Sequence, residues 1–353
     1  MGENMKFLKE NLLQYRNAGT KARCDMEKIF QNRYTTLISI DQLQFSNFYS
    51  KFEFLSKKKT IETVIFLIKR HNENVILQYP FYFNRLYKYV LYHFVTKNHC
   101  VLFVHDIDTL RGNKKISLKK EINILNHSTA IILHNSKMIS YLQQHGLTTN
   151  CINLELFDYL LPGDIPKQQY SLGNEIVFAG NLAKSEFIES IPHKKIHLQF
   201  NLFGNGLSYK AKNNPNIFYQ GSFSPEEIPY KLHGSFGLVW DGNSLDTCSG
   251  DVGEYLKLNN PHKLSLYIAA GLPVIVWKQA AIAQIVDEYN IGFCVDSIQD
   301  ISSKINSLNA TDYSKYLENI KKLQKLVITG YFTNRALDQV EKIMGENLLH
   351  KES

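Results

Sequence analysis

A lysine in the first turn of a helix is the position in this chain with the most chemistry attached to it. The segment NNPHKLSLYIAAGLPVIVW spans 259–277 and reads as helix start, short helix, glycine stop and buried strand. Asn260 can cap that helix and Pro261 suits its first position, where a missing N–H costs nothing. His262 and Lys263 then fall in the first turn, where the helix dipole is positive and a cation is out of place unless an anion sits beside it. Helix N-termini with free N–H groups bind phosphate, and an ammonium adds a point charge. Other loops suited to the same ligand follow strands of the second half. These are Gly180-Asn181 with Lys184, the turn Gly204-Asn205-Gly206, Trp240-Asp241-Gly242 and the small-residue run Thr247-Cys248-Ser249-Gly250. Open parallel sheets hold ligands at such carboxyl ends, so together these loops can surround one nucleoside diphosphate.

The first half offers a different chemistry. His105-Asp106-Ile107-Asp108 ends an apolar run and is followed by Arg111. Carboxylates two apart can hold a divalent metal, solvate a loop or cap a helix. A further reading makes Asp106, with His105 second, a general base that takes a hydroxyl proton. Lysine and helix N–H groups on the facing half would then neutralise the leaving charge without a metal. Near the start, Arg16–Arg23 carries Gly19, Thr20 and Lys21 at the entry to a helix over 20–32, either as a plain connection or as a loop touching donor or acceptor. A helix over 82–98 shows a second face of Tyr82, Arg85, Lys88, Tyr89, Tyr92 and His93, suited to a carbohydrate or a membrane surface or to plain solvation.

These residues need a scaffold, and the pattern of the chain supplies one. Short apolar strands alternate with amphipathic helices throughout, the signature of parallel α/β sheets. In the first half, 64–70, 74–80, 100–106, 129–135 and 151–159 read as extended. Leu161–Gly173 then breaks the pattern with two prolines and two glycines. Alternation resumes at 175 and ends in helices over about 299–346. The expected architecture is therefore a Rossmann-like domain over 1–160, a linker over 161–174, a second Rossmann-like domain over 175–330 and a terminal helix over 331–353 packed back on the first. At 353 residues the chain suits two cores, and 44% hydrophobic and 12% aromatic residues make it a globule.

Several function classes drop out. Position 209, where a dinucleotide fingerprint begun at Gly204 would need its third glycine, is Tyr209, and no GxxxxGK[ST] occurs. Forty Lys and Arg against 33 Asp and Glu give a net charge of +7, which favours anionic partners, but no basic tract or reading motif supports nucleic acid. Five scattered cysteines without a CxxC pair point to reduced thiols in a cytosolic protein, and no apolar run is long enough to span a bilayer.

The blocks RNAGTKARCD, HDIDTLR, HNSKMISYL, VFAGNLAKS, LFGNG, GSFGLVWDG and GEYLKLNNPHKLSLYIAAGLPVIVW resemble those of bacterial β-1,6-galactofuranosyltransferases. In the same order they are similar to the glucosyltransferases that extend the first sugar on serine-rich-repeat adhesins of streptococci. The resemblance runs over about residues 10–345. It implies a GT-B fold of two facing Rossmann-like lobes, a UDP-sugar donor and no separate cofactor. It also implies inverting transfer without a metal, self-association and a glycan or glycoprotein acceptor. A place in the cytoplasm, at the inner face of the membrane, fits these. Carried onto this chain, Lys184, Gly204–Gly206 and Lys263 would hold the donor, joined by Asn181, Asp241, Asn260 and His262. The usual retaining pattern has a glutamate on the helix after the phosphate loop, where this chain has Ser265 and Tyr267. The residues leave glucosyl transfer, or a nucleotide-sugar-binding subunit without turnover, as alternatives.

Overall fold

The computed structural model describes residues 5–11, 18–41, 51–83, 85–113, 115–194 and 196–352, so Arg16 and Asn17 of the first block lie outside the described residues. The first lobe is a six-stranded parallel sheet. Its strands are β1 (Lys6–Asn11), β2 (Thr35–Asp41), β3 (Asn74–Tyr79), β4 (His99–Val104), β5 (Ala130–Leu133) and β6 (Asn150–Asn153), in the order β2-β1-β3-β4-β5-β6. The helices between them are α1 (Ala18–Gln31), α2 (Lys51–Ile68), α3 (Arg85–Lys97), α4 (Leu118–Leu125) and α5 (Ser136–Gln144). The strands β3 and β5 are buried along their whole length, the polar Asn74 and Gln78 of β3 included, as central strands covered on both faces are. Right-handed crossovers put α1 on one face of this sheet and α2, α3, α4 and α5 on the other.

One expectation fails here. Val64–Ile68 is the end of α2, and the chain is not extended until Asn74. A short apolar run reads alike in a buried strand and a helix. Among the described side chains of the helix only Thr63 and Leu67 turn fully inward, while Ile61, Ile65 and Ile68 stay exposed.

The second lobe holds β7 (Glu175–Ala179), β8 (Gln199–Phe203), β9 (Ile217–Gly221), β10 (Phe236–Val239), β11 (Val274–Trp277) and β12 (Gly292–Val295). Their order, β12-β11-β10-β7-β8-β9, is the dinucleotide-fold order, with its reversal between β7 and β10. Here α6 (Tyr209–Lys212), α7 (Gly250–Tyr255), α8 (His262–Ala270), α9 (Ala283–Tyr289), α10 (Ile301–Ser307), α11 (Ala310–Val327) and α12 (Tyr331–Glu352) complete the chain. The stop after α8 is a left-handed Gly271 at φ 75°, followed by Leu272 and Pro273.

Residues 154–174 form neither helix nor strand. Three devices hold the lobes together around that crossing. Ser265 on α8 donates to the Phe157 carbonyl at 2.7 Å. Tyr255 at the end of α7 lies in the apolar core of the first lobe, and its hydroxyl accepts from the Ile107 N–H at 2.9 Å. The buried carboxylate of Asp158 accepts from the N–H groups of Phe332 and Thr333 at 3.2 and 2.7 Å, tying the start of α12 to the crossing. From there α12 runs back along the first lobe, where Arg33 pairs with Asp338 and Glu341. Among the described residues no helix is long and apolar enough to cross a membrane.

Candidate active site

The carboxyl edge of the second sheet gathers most of the expected donor residues at its topological switch point. Lys263 reaches from the first turn of α8 across both strands that flank the reversal. Its Nζ lies 3.3 Å from the Trp240 carbonyl after β10, and 4.7 Å from the centre of the Phe178 ring on β7. Next to it runs Gly180, where a Cβ would stand 3.1 Å from the Lys263 Cε. The anion that the helix dipole demanded is present within the chain itself, since Lys263 pairs with Asp241 at 2.6 Å and both side chains are mostly buried.

The two glycine loops interlock beside that pair. Gly204 has φ +142°, and a Cβ there would stand 1.8 Å from the Gly180 carbonyl oxygen, so only glycine fits. Leu182 donates to the Asn205 carbonyl at 2.9 Å, and Asn181 caps the short turn that carries Lys184 by accepting from the Ala183 N–H. Lys184, Asn205 and Gly206 are exposed, and among the described residues no carboxylate pairs with Lys184. The result is an open edge of backbone groups with one free ammonium and one ammonium held by a single carboxylate.

Across the lobes stands the loop after β4. Burial pushes Asp106 up to about 6, against the pull of the Arg111 guanidinium, which pairs with it at 2.5 Å. Asp108 does not take that partner; its carbonyl starts the turn by accepting from the N–H groups of Arg111 and Asn113. A buried carboxylate that the sequence did not reveal sets the loop. Glu121 on α4 accepts from the N–H groups of Asp108 and Thr109 at 2.9 Å each and from the Tyr79 hydroxyl at 2.8 Å. Its only signal was an acidic residue on the inward face of an amphipathic helix. Tyr82 is half-exposed nearby, and the buried Arg23 guanidinium lies 4.5 Å from its ring centre while pairing with Glu10 at 2.6 Å. The first turn of α7 comes close to this loop, because a Cβ on Gly112 would stand 2.8 Å from the Asp251 carboxylate. Among the described residues no three His, Cys, Asp or Glu side chains converge as a metal cluster.

Four expected site residues serve the join between lobes. Asn260 does not cap α8. Both hydrogens of its amide go to the carbonyls of His134 and Glu155 at 2.7 Å and its oxygen accepts from Asn135 at 2.7 Å, so no amide hydrogen remains for a nucleotide sugar. Lys21 is buried against Asp25 at 2.5 Å, donates to the Leu160 carbonyl and faces the Tyr159 ring, so it closes the crossing instead of lining a loop. Gly19 is exposed and Thr20 half-buried in the first turn of α1. His262 stacks on Tyr159 with ring centres 5.1 Å apart; burial lowers it to about 3, and both ring nitrogens are buried without a partner. His105 is buried against Phe157 with its Nε2 at 2.7 Å from the Gln78 amide oxygen, and burial holds it neutral. Asp106, with part of its side chain exposed, therefore remains the acid–base group of that pair.

Two lobes of parallel sheet agree with what the comparisons find. The glucosyltransferase 3-like N-terminal domain matches residues 5–156 and its C-terminal domain matches 176–340. The chain is 32% identical over 345 residues to the β-1,6-galactofuranosyltransferase WbbI of Escherichia coli, covering 95% of this chain and 98% of that one. The chain belongs to the glucosyltransferase 3-like family. Glucosyltransferase 3 of Streptococcus gordonii is 31% identical over 250 residues, 69% of this chain and 71% of the relative. Among solved structures, an alpha-glucosyltransferase in complex with UDP and a 13-mer DNA superposes with a TM-score of 0.57 at 11% identity, covering 97% and 99% of the two chains. A trehalose-6-phosphate synthase superposes at 0.58 with 9% identity over 97% and 99%. Membership makes this protein a glycosyltransferase, and the likeness of fold makes it a GT-B one.

Proposed function

We propose that this glucosyltransferase 3-like protein moves a sugar, galactofuranose first, from a UDP-sugar to a hydroxyl of a glycan or glycoconjugate. Transfer is inverting and needs no metal. The observation that carries the reading is Lys263 lying across the switch point between Gly180 and the Trp240 carbonyl, with Lys184, which pairs with no acid among the described residues, on the turn that follows Gly180. A diphosphate there meets two ammonium groups, the start of α8 and the glycine loops, so the charge that develops on the leaving group is neutralised by the protein. Asp241 is the local anion that the diphosphate displaces from Lys263. On the acceptor side Asp106 takes the hydroxyl proton as the acceptor oxygen bonds to the anomeric carbon and the bond to UDP breaks. A carboxylate at about 6 is ionised at neutral pH and still basic enough for this task.

Galactofuranose is favoured by the match with the E. coli enzyme along 95% of this chain. The match with the streptococcal enzyme over 69% of it supports glucosyl transfer as the second reading. Incubation with a panel of UDP-sugars, UDP-galactofuranose included, distinguishes them by which donor releases UDP in the presence of acceptor. Binding of UDP without release from any donor would instead mark a subunit that has lost turnover.

A further inference from the structure

We propose that the outer surface of α2 and α3 on the first lobe rests on an anionic lipid bilayer. The right-handed crossovers place both helices in one layer on the sheet face opposite α1, so their exposed sides form one surface. That surface is apolar where a soluble face would be polar. On α2, Ile61, Ile65 and Ile68 recur at i, i+4 and i+7 and are 58%, 46% and 45% exposed. On α3, Leu86 and Tyr89 are 51% and 73% exposed while Tyr87, Val90, Leu91 and Phe94 fill the core. Contiguous exposed apolar residues of this size mark a contact surface.

The charge around them selects the occupant. The whole of α3 carries Arg85, Lys88 and Lys97 and no carboxylate. Among the described residues, Lys69, Arg85, Lys88 and Lys97 pair with no acid. Of the acids whose side chains are described, Glu62 lies 3.9 Å from Lys58, and Glu73 pairs with Lys6 and Arg70 at 2.5 and 2.9 Å. Aliphatic side chains and a tyrosine ringed by unpaired cations match the interface of an anionic leaflet, where apolar burial and phosphate attraction add. Between α3 and α4 a cavity of about 260 Å³, lined by Tyr89, Tyr92, His93, Asn123 and His127, offers hydrogen-bonding groups beside the same surface. The start of α3 follows the carboxyl end of β3, and Tyr82 just before it stands beside Arg23 and Asp106, so this surface adjoins the rim of the cleft. The inference does not depend on which sugar is transferred.

Co-sedimentation with phosphatidylcholine vesicles, with and without phosphatidylglycerol, tests it on the full chain. Binding is expected only with phosphatidylglycerol and should weaken as salt rises. Arg85→Glu with Lys88→Glu should weaken it at least tenfold, at roughly fivefold per cation lost. Leu86→Ser with Tyr89→Ser should weaken it as well, and both variants should keep the wild-type thermal shift with UDP, which shows that they fold. Absence of binding to phosphatidylglycerol vesicles, or equal binding by wild type and both folded variants, overturns the proposal. So does a wild-type dimer that the Leu86→Ser, Tyr89→Ser variant converts to a monomer, since the surface would then belong to a second copy.

Discussion

Asp106 is the residue on which catalysis turns in this account, and its surroundings define how it should behave. Burial raises it to about 6 and the Arg111 guanidinium opposes that rise, so the carboxylate form becomes dominant just above pH 6. A base works ionised, and the rate of transfer should therefore climb as pH passes through about 6 and level above it. Asp106→Asn keeps the shape and removes the basicity. Transfer is expected to fall by about 10²–10⁴-fold with UDP affinity unchanged; turnover within a few-fold of wild type would move the role to another group. The position of Asp106 at the end of an apolar strand was legible in the sequence. Its partner was not, because Arg111 lies five residues further on, beyond a turn whose N–H groups are held by the distant Glu121. The same limit applies to Asn260 and Lys21. Both sit in segments that read as ligand loops, and each is consumed by a partner more than a hundred residues away.

At the scale of elements, the second lobe was the more legible half. Its strands are short, mainly apolar runs and its loops carry glycines where backbones must meet. Gly204→Ala is expected to break that meeting, because a Cβ at φ +142° would stand 1.8 Å from the Gly180 oxygen. The strain should cost at least about 2 kcal/mol of stability in urea unfolding and weaken UDP binding too. A stability loss without any change in UDP affinity would separate the glycine loops from the donor site. The first two strands escaped the sequence reading for a physical reason. Lys6 and Glu10 on β1 look like surface charges, but Lys6 pairs with Glu73 and Glu10 is buried against Arg23. At the join of the lobes, Asn260→Ala leaves the Glu155 carbonyl unpaired and takes one of two donors from the His134 carbonyl, which should cost about 1–3 kcal/mol, read as a lowered urea midpoint. UDP affinity should hold, which distinguishes a structural asparagine from a donor ligand.

At the scale of the whole molecule, the first lobe stores carboxyl groups that burial keeps protonated, and stability should depend on pH accordingly. Burial raises Glu27 from 4.5 to about 7 and Asp158 from 3.8 to about 7. A raised carboxyl favours the folded state while protonated, so its contribution is full below about pH 4 and disappears as pH climbs through about 7. Thermal stability should decline between pH 5 and 8. Glu27→Gln, which can still accept from the Glu10 N–H, should flatten that decline by about 1–3 kcal/mol, at about 1.4 kcal/mol per pKa unit. An unchanged slope in the variant would show that Glu27 ionises freely.

The central claim places the donor's diphosphate on the second lobe, at Lys263, without a metal. Calorimetric titration of wild type and Lys263→Ala with UDP, in the presence of a chelator, tests it most directly. The alanine variant should fold, since Lys263 leads from a short helix into an open edge. Losing one charge-assisted contact to phosphate costs about 1.5–3 kcal/mol, so its Kd is predicted to rise about 10–150-fold while the wild type binds equally with or without chelator. Equal affinity of the folded variant, or loss of wild-type binding on chelation, would contradict the account.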